Sequence, residues 1–234
     1  MHPSNYHIAG FTKEVDTATL AQMATEAGIP SCVDLGAGSL VDLSRWGLPY
    51  EPTPQSVLDK GIDVVTFSGD KLLGGVQAGL IVGKEEHLAQ IKSNPLKRAL
   101  RADKTTLAAL SVLLRYYEEP EHLIDRIPLF KTLTLDEREL EQRGQALREA
   151  FSDEYQCELV ASEGQIGSGA LPDKSFASMA ITLTHKSHSA EQILTTLRAL
   201  PTPVIGRIGQ DKVWLDLRGA EPLSDLIAMI KGNM

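Results

Sequence analysis

Three short apolar runs restrict this chain more than any other feature: SCVDL at 31–35, IDVVTF at 62–67 and AGLIVG at 78–83. None shows the strict alternation of apolar and polar side chains that a strand with one wet face needs. Runs of this kind are buried on both faces, and their usual setting is a parallel sheet covered by helices. The segments around them supply the helices. DTATLAQMATEAG (16–28) offers Asp16 or Thr17 as N-cap, an apolar stripe in Leu20, Met23 and Ala24, and a stop at Gly28. PQSVLDKG (54–61) is a short helix with Pro54 in its first turn, and EEHLAQIKS (85–93) is another. The fold class is therefore read as α/β, with a mostly parallel sheet and helices on both faces.

DKTTLAALSVLLRYYE (103–118) reads as a strongly apolar helix. A longer helix is expected from Pro128 to Phe151, because Leu129, Leu133, Leu140, Gly144, Leu147 and Phe151 recur on one face of a 3.6-residue period. Beyond residue 152 the pattern changes. QCELVAS, FASMAITLT, TPVIGRI and KVWLDL read as strands, SAEQILTTLRAL and PLSDLIAMIK as helices, and GQDK as a hairpin turn. This is a small α+β domain with an antiparallel sheet. The boundary is placed near Pro120, giving domains at 1–120 and 121–234, the second including the long linking helix.

A net charge of −8 argues against the chain alone being a strong nucleic-acid binder. Its basic cluster is NPLKRALRADK, with Lys97, Arg98, Arg101 and Lys104. No apolar run approaches the roughly 18 residues of a membrane span. Residues 1–30 lack the layout of a signal peptide. Cys32 and Cys157 lie in apolar stretches and read as buried free thiols rather than a disulfide, in keeping with a reducing cytoplasm. His185 and His188 read as surface histidines, since no cysteine or carboxylate cluster accompanies them, and no metal site is expected. Trp46 and Trp214 read as core or interface aromatics.

Ligands of open α/β sheets collect at the carboxyl ends of the strands. Asp34 ends the first apolar run, and Lys71 follows the second in TFSGDKLLGG. Singly, each has an ordinary reading: Asp34 as a turn or capping acid, Lys71 as a solvated charge. Together they suit pyridoxal phosphate, which needs a lysine amine for covalent attachment and a carboxylate beside its ring nitrogen. A partly desolvated lysine is also the better nucleophile. Gly36 and Gly38, and Gly74 and Gly75 behind Lys71, are expected to clear space for the ring. GQIGSGALP (164–172) has the glycine spacing of a phosphate-cradling turn without the strand-then-helix context that would confirm it.

VDLGAGSLVDLSRWGLP, TFSGDKLLGGVQAGLIVG, NPLKRALRADKTTLAAL and TPVIGRI…VWLDLR resemble the bacterial selenocysteine synthases, the L-seryl-tRNA(Sec) selenium transferases. HPSNYHIAGFT resembles the stretch just before that family's cofactor aspartate. The likeness runs along essentially the whole chain; Val76 stands where proline is usual. The resemblance implies part of a fold-type-I pyridoxal phosphate domain followed by the small α+β domain. It implies that Lys71 carries the cofactor and that Asp34 faces the pyridine nitrogen. Arg98 and Arg101, three apart, are expected to project from one face of a helical turn, and by themselves read as a solvated helix face; the resemblance reverses that and implies that they hold selenophosphate or the phosphate it leaves. Asp70 either orients Lys71 or serves as a turn aspartate. Asn5, with Ser4, is placed near the ring face. The implied partners are seryl-tRNA(Sec), selenophosphate and further copies of the chain in a dimer-based ring, with no membrane, in the cytoplasm. Family members are about twice as long, so Met1 reads as a truncation that removes a tRNA-binding domain and the phosphate-binding loop, leaving the fragment inactive alone. Two other readings stay open: another pyridoxal phosphate enzyme, such as an amino-sugar-phosphate ammonia lyase, and a non-catalytic assembly fragment.

Overall fold

The structure, a computed structural model, describes residues 10–11, 13–166 and 175–234. It divides into two compact units: Met1–Lys131 with Gln165–Lys174, and Thr132–Gly164 with Ser175–Met234.

In the first unit α1 (Thr17–Ala27) starts on Asp16, whose Oδ1 accepts the N–H groups of Ala18 and Thr19, and stops at left-handed Gly28. β1 (Cys32–Gly36), α2 (Pro54–Leu58), β2 (Val64–Ser68) and β3 (Gly79–Gly83) follow, and the strands form one sheet in the order β1-β2-β3. β1 and β2 are parallel with Asp34 opposite Thr66, as the apolar runs predict. β3 runs antiparallel to β2, with Gly79 opposite Ser68, so among the described residues this sheet is one parallel and one antiparallel pair rather than the mostly parallel sheet expected. Residues 69–78 between them are too few for a crossover helix, and Gly69 N–H donates to Ala78 O to close them as a loop. Leu35, Ile62, Val65, Phe67, Leu72 and Leu73 are the buried core beneath this sheet end. α3 (Glu85–Ser93), α4 (Lys97–Leu100), α5 (Lys104–Tyr116), α6 (Leu123–Arg126) and α7 (Pro128–Leu133) complete the run of helices.

The amino ends of β1 and β2 are joined by a charged latch. Asp63 Oδ2 accepts from Ser31 N at 2.7 Å and Ser31 Oγ at 2.8 Å, while Lys84 Nζ stands 2.6 Å from Asp63 Oδ1. The Lys84 ammonium, then the Ser31 N–H, hold the Asp63 carboxyl well below the usual carboxylate range. A carboxyl whose folded pKa is depressed adds stability above its unfolded pKa of about 4, and that stability is lost as pH falls below it. Asp63→Asn is therefore expected to cost about 1–2 kcal/mol at neutral pH, the worth of its bonds from buried Ser31. It should also flatten the fall in stability below about pH 4. Urea melts from pH 7 to pH 3 check this; parallel curves for the two proteins would count against the latch.

In the second unit α8 (Glu137–Arg148) leads into β4 (Tyr155–Gln165), β5 (Ser175–His185), α9 (Ala190–Arg198), β6 (Arg207–Gly209), β7 (Lys212–Asp216) and α10 (Leu223–Asn233). The sheet order is β4-β5-β7-β6, and β7 is antiparallel to both neighbours. Gln210 and Asp211 both have positive φ, so the GQDK hairpin is a two-residue type I′ turn. Leu140, Leu147, Ile181, Leu183, Ile193, Leu197 and Val213 form the core. Gly144 lets α8 close on β4: a Cβ there would sit 2.5 Å from Leu159 Cδ1. Buried Arg218 donates to the carbonyls of Thr132, Leu133 and Ala177.

Three further expectations change. The single helix from Pro128 to Phe151 is two helices, because Asp136 and Glu139 form a reciprocal capping box that starts α8 afresh. The seven-residue step from Leu133 to Leu140 spans that break. Both cysteines are free but not both buried. Cys32 is exposed on β1, an edge strand of its sheet, whereas burial pushes the half-buried Cys157 thiol up to about 11. His185 is not a surface histidine: its side chain is 4% exposed and its Nδ1 accepts the N–H groups of Ser187 and His188. Among the described residues no His, Cys, Asp and Glu group fits a metal ion, and no helix is long and apolar enough to cross a membrane.

Candidate active site

Asp34 and Lys71 both lie toward the carboxyl end of the β1–β2 pair. Asp34 is exposed on β1, where its Oδ1 accepts the Thr66 hydroxyl and the Gly36 N–H, each at 3.1 Å. Its Oδ2 has no hydrogen-bond partner among the described residues. The carboxylate is thus fixed through one oxygen and presents the other. Thr66 is a site residue the sequence reading missed. Its signal is positional: threonine is the third residue of β2 as aspartate is the third of β1, and the parallel register sets them side by side.

Lys71 follows β2 by three residues and begins a turn closed by the Gly74 N–H donating to Lys71 O. Leu72 and Leu73, at 1% and 0% exposure, anchor the turn in the core. The Leu72 N–H donates to Ala37 O, which ties the loop after β2 to the loop after β1 and so links the segments that carry Lys71 and Asp34. The Lys71 side chain is half-buried and has no ion pair or hydrogen bond among the described residues. Asp70 beside it is exposed. The other end of the turn is held by Tyr117, whose hydroxyl donates to Leu73 O at 2.8 Å. Burial pushes the Tyr117 phenol far above its ordinary pKa, so it remains a donor at any working pH. No sequence pattern marked Tyr117 for this role.

The glycines do a different job from the one expected. A Cβ at Gly38 would lie 2.7 Å from Phe67 Cβ, and one at Gly74 would lie 2.8 Å from Ile127 Cγ2. A Cβ at Gly75 would collide with Leu113. These positions admit the protein's own side chains behind the loops and hold the loops close to the core. Arg98 lies on α4, whereas Arg101 is its extended C-cap, so the two do not share one helical turn as the spacing suggested. Both are exposed, and no hydrogen bond or ion pair joins either to the Lys71 loop among the described residues. Asn5 lies outside the described residues, as does 167–172 of the glycine-rich loop.

A sequence profile described as SelA, L-seryl-tRNA selenium transferase, matches residues 1–221. The chain belongs to the L-seryl-tRNA selenium transferase family. The L-seryl-tRNA(Sec) selenium transferases of Salmonella typhi and Salmonella paratyphi C (strain RKS4594) are each 50% identical to it over 237 residues. Each match takes in 98% of this chain and 51% of the relative, so the chain spans about half the length of the curated relatives it matches. Among solved structures, D-glucosaminate-6-phosphate ammonia-lyase superposes on 94% of this chain and 53% of its own, with a TM-score of 0.57 at 16% identity, a likeness of fold. The α/β class read from the sequence is the one found, and the fold is shared with that structure. In this chain the lysine of SGDKLLGG and the aspartate of VDLG lie toward the carboxyl ends of neighbouring parallel strands, where ligands of open α/β sheets collect.

Proposed function

We propose that the chain supplies the carboxy-terminal part of a pyridoxal phosphate-dependent L-seryl-tRNA(Sec) selenium transferase, which converts seryl-tRNA(Sec) and selenophosphate to selenocysteyl-tRNA(Sec) and phosphate. The observation that carries this reading is a Lys71 Nζ with no partner among the described residues, on a loop bonded to that of an Asp34 with one carboxylate oxygen presented. When bound, pyridoxal phosphate supplies an electron sink at the substrate Cα. Lys71 Nζ would hold the cofactor covalently and would take up the Cα proton of the seryl group. Asp34 Oδ2 would face the ring nitrogen and hold its proton, with Thr66 and Gly36 fixing the carboxylate through Oδ1. Asp70 orients Lys71. Arg98 and Arg101 hold the phosphate of selenophosphate as guanidinium donors. Asn5 lies near the ring face in this reading. The reaction belongs in the cytoplasm, in an oligomer of this chain, with residues 1–120 and 121–234 as the two functional parts.

The test is to incubate the chain with pyridoxal phosphate, reduce with borohydride and map the peptides, alone and mixed with the amino-terminal half of a Salmonella relative. The cofactor mass is expected on the Lys71 peptide, and the mixture is expected to turn over seryl-tRNA(Sec) in preference to a phosphorylated amino sugar. Cofactor scattered over surface lysines would overturn the site. Turnover of the amino sugar instead would establish an ammonia lyase. Capture without turnover of either substrate would leave an assembly role.

A further inference from the structure

α4 projects from the first unit with an unusual surface. Leu96 and Leu100 are 64% and 79% exposed, although leucine in a soluble chain is ordinarily covered. With Ile81 of β3 and Leu88 and Ile91 of α3 they line a groove of about 520 Å³. The other lining side chains include Lys92, Lys97 and Arg101, and no carboxylate. This happens in a chain whose net charge is −8.

A small apolar floor with cations on its rim matches a nucleotide, which presents a flat, weakly polar base beside anionic phosphates. The volume is that of a site for one small ligand, well short of the trough that an amphipathic helix of a protein partner occupies. The groove also borders Arg101, the residue that the reading above gives to selenophosphate. We propose that this groove seats the 3′-terminal nucleotide of the RNA substrate, with its base on Leu96, Leu100 and Ile91 and the neighbouring phosphates against Lys92 and Lys97. This rests on the selenium transferase reading and places the aminoacylated end of the RNA on the element that carries Arg98. It also gives a net acidic chain a local hold on RNA, where bulk charge supplies none.

The probe is a fluorescein-labelled RNA stem ending in single-stranded CCA, compared by anisotropy with the same stem lacking the terminal adenosine. Loss of that nucleotide is expected to weaken binding to the full chain about tenfold, the scale of one base face buried against aliphatic side chains. Leu100→Asp should abolish the difference between the two RNAs, and Leu96→Asp should do the same. Both sites are exposed, so neither change should disturb folding. Lys97→Ala should reduce the slope of log K against log salt by about 0.7, one phosphate contact on a single strand. Equal binding of the two RNAs, no binding of either, or a preference that survives Leu100→Asp overturns the proposal. If Leu100→Asp instead lowers the mass by light scattering and leaves the RNA preference intact, the groove is a protein contact. Borohydride mapping of Lys71 is read separately, so failure here is distinguishable from failure of the cofactor site.

Discussion

Lys71→Ala is expected to lose covalent capture of pyridoxal phosphate and, in the complemented enzyme, to lower turnover by at least about a thousandfold. Two functions would leave with one side chain, since in the proposed reaction the same amine both attaches the cofactor and takes the Cα proton. The fold should survive. The turn that Lys71 begins is held by buried Leu72 and Leu73, by the Gly74 N–H on the Lys71 carbonyl, and by Tyr117 on Leu73. None of those contacts uses the lysine ammonium, so the thermal midpoint is expected to stay within about a degree or two of the parent. Asp34→Asn separates the other half of the site. Asparagine Oδ1 still accepts from Thr66 and Gly36, but the side chain no longer carries charge toward a ring nitrogen. That variant should capture cofactor on Lys71 and fail in turnover. Difference absorbance on adding cofactor, followed by peptide mapping, reads both outcomes. A Lys71→Ala protein that retains the long-wavelength absorbance of lysine-bound pyridoxal phosphate would end the assignment.

What the sequence disclosed about this site follows from which forces act locally. Asp34 and Lys71 were legible because each ends an apolar run, and a run that must be buried fixes where its end lies. Thr66 was not, because its bond to Asp34 exists only once β1 and β2 have a register. The direction of β3 was a matter of loop length, and ten residues with three glycines favour a return over a crossover. The break between α7 and α8 was written in Asp136 and Glu139, but a strong seven-residue spacing of leucines across it masked the cap. Gly38 and Gly75 were identified as positions without room for a side chain; only coordinates show that Phe67 and Leu113, from the protein itself, take the space. Cys32 follows the same rule in reverse, since an apolar neighbourhood in sequence does not cover the outer side of an edge strand.

The second large effect is expected away from the chemistry, at Phe130. Its side chain is fully buried, with the Trp46 ring 5.1 Å away and tilted by 43° and the Tyr117 ring edge-on at 6.2 Å. Phe130→Ala removes a whole aromatic from a site walled by two others, and should cost about 3–5 kcal/mol, transfer and cavity together. On a unit of this size that lowers the thermal midpoint by more than about 8 °C. The loss should also reach the site, because Tyr117 leans on Phe130 while its hydroxyl holds Leu73, two residues from Lys71. Cofactor capture should therefore slow in Phe130→Ala even at temperatures where the protein is folded. Phe130→Leu distinguishes filling from positioning: it restores much of the volume without the ring edge, so the midpoint should recover further than the capture rate does. Calorimetry gives the first quantity and stopped-flow absorbance the second. If capture returns in step with the midpoint, Tyr117 owes its position to packing density alone, and the ring contact adds nothing to the placement of Lys71.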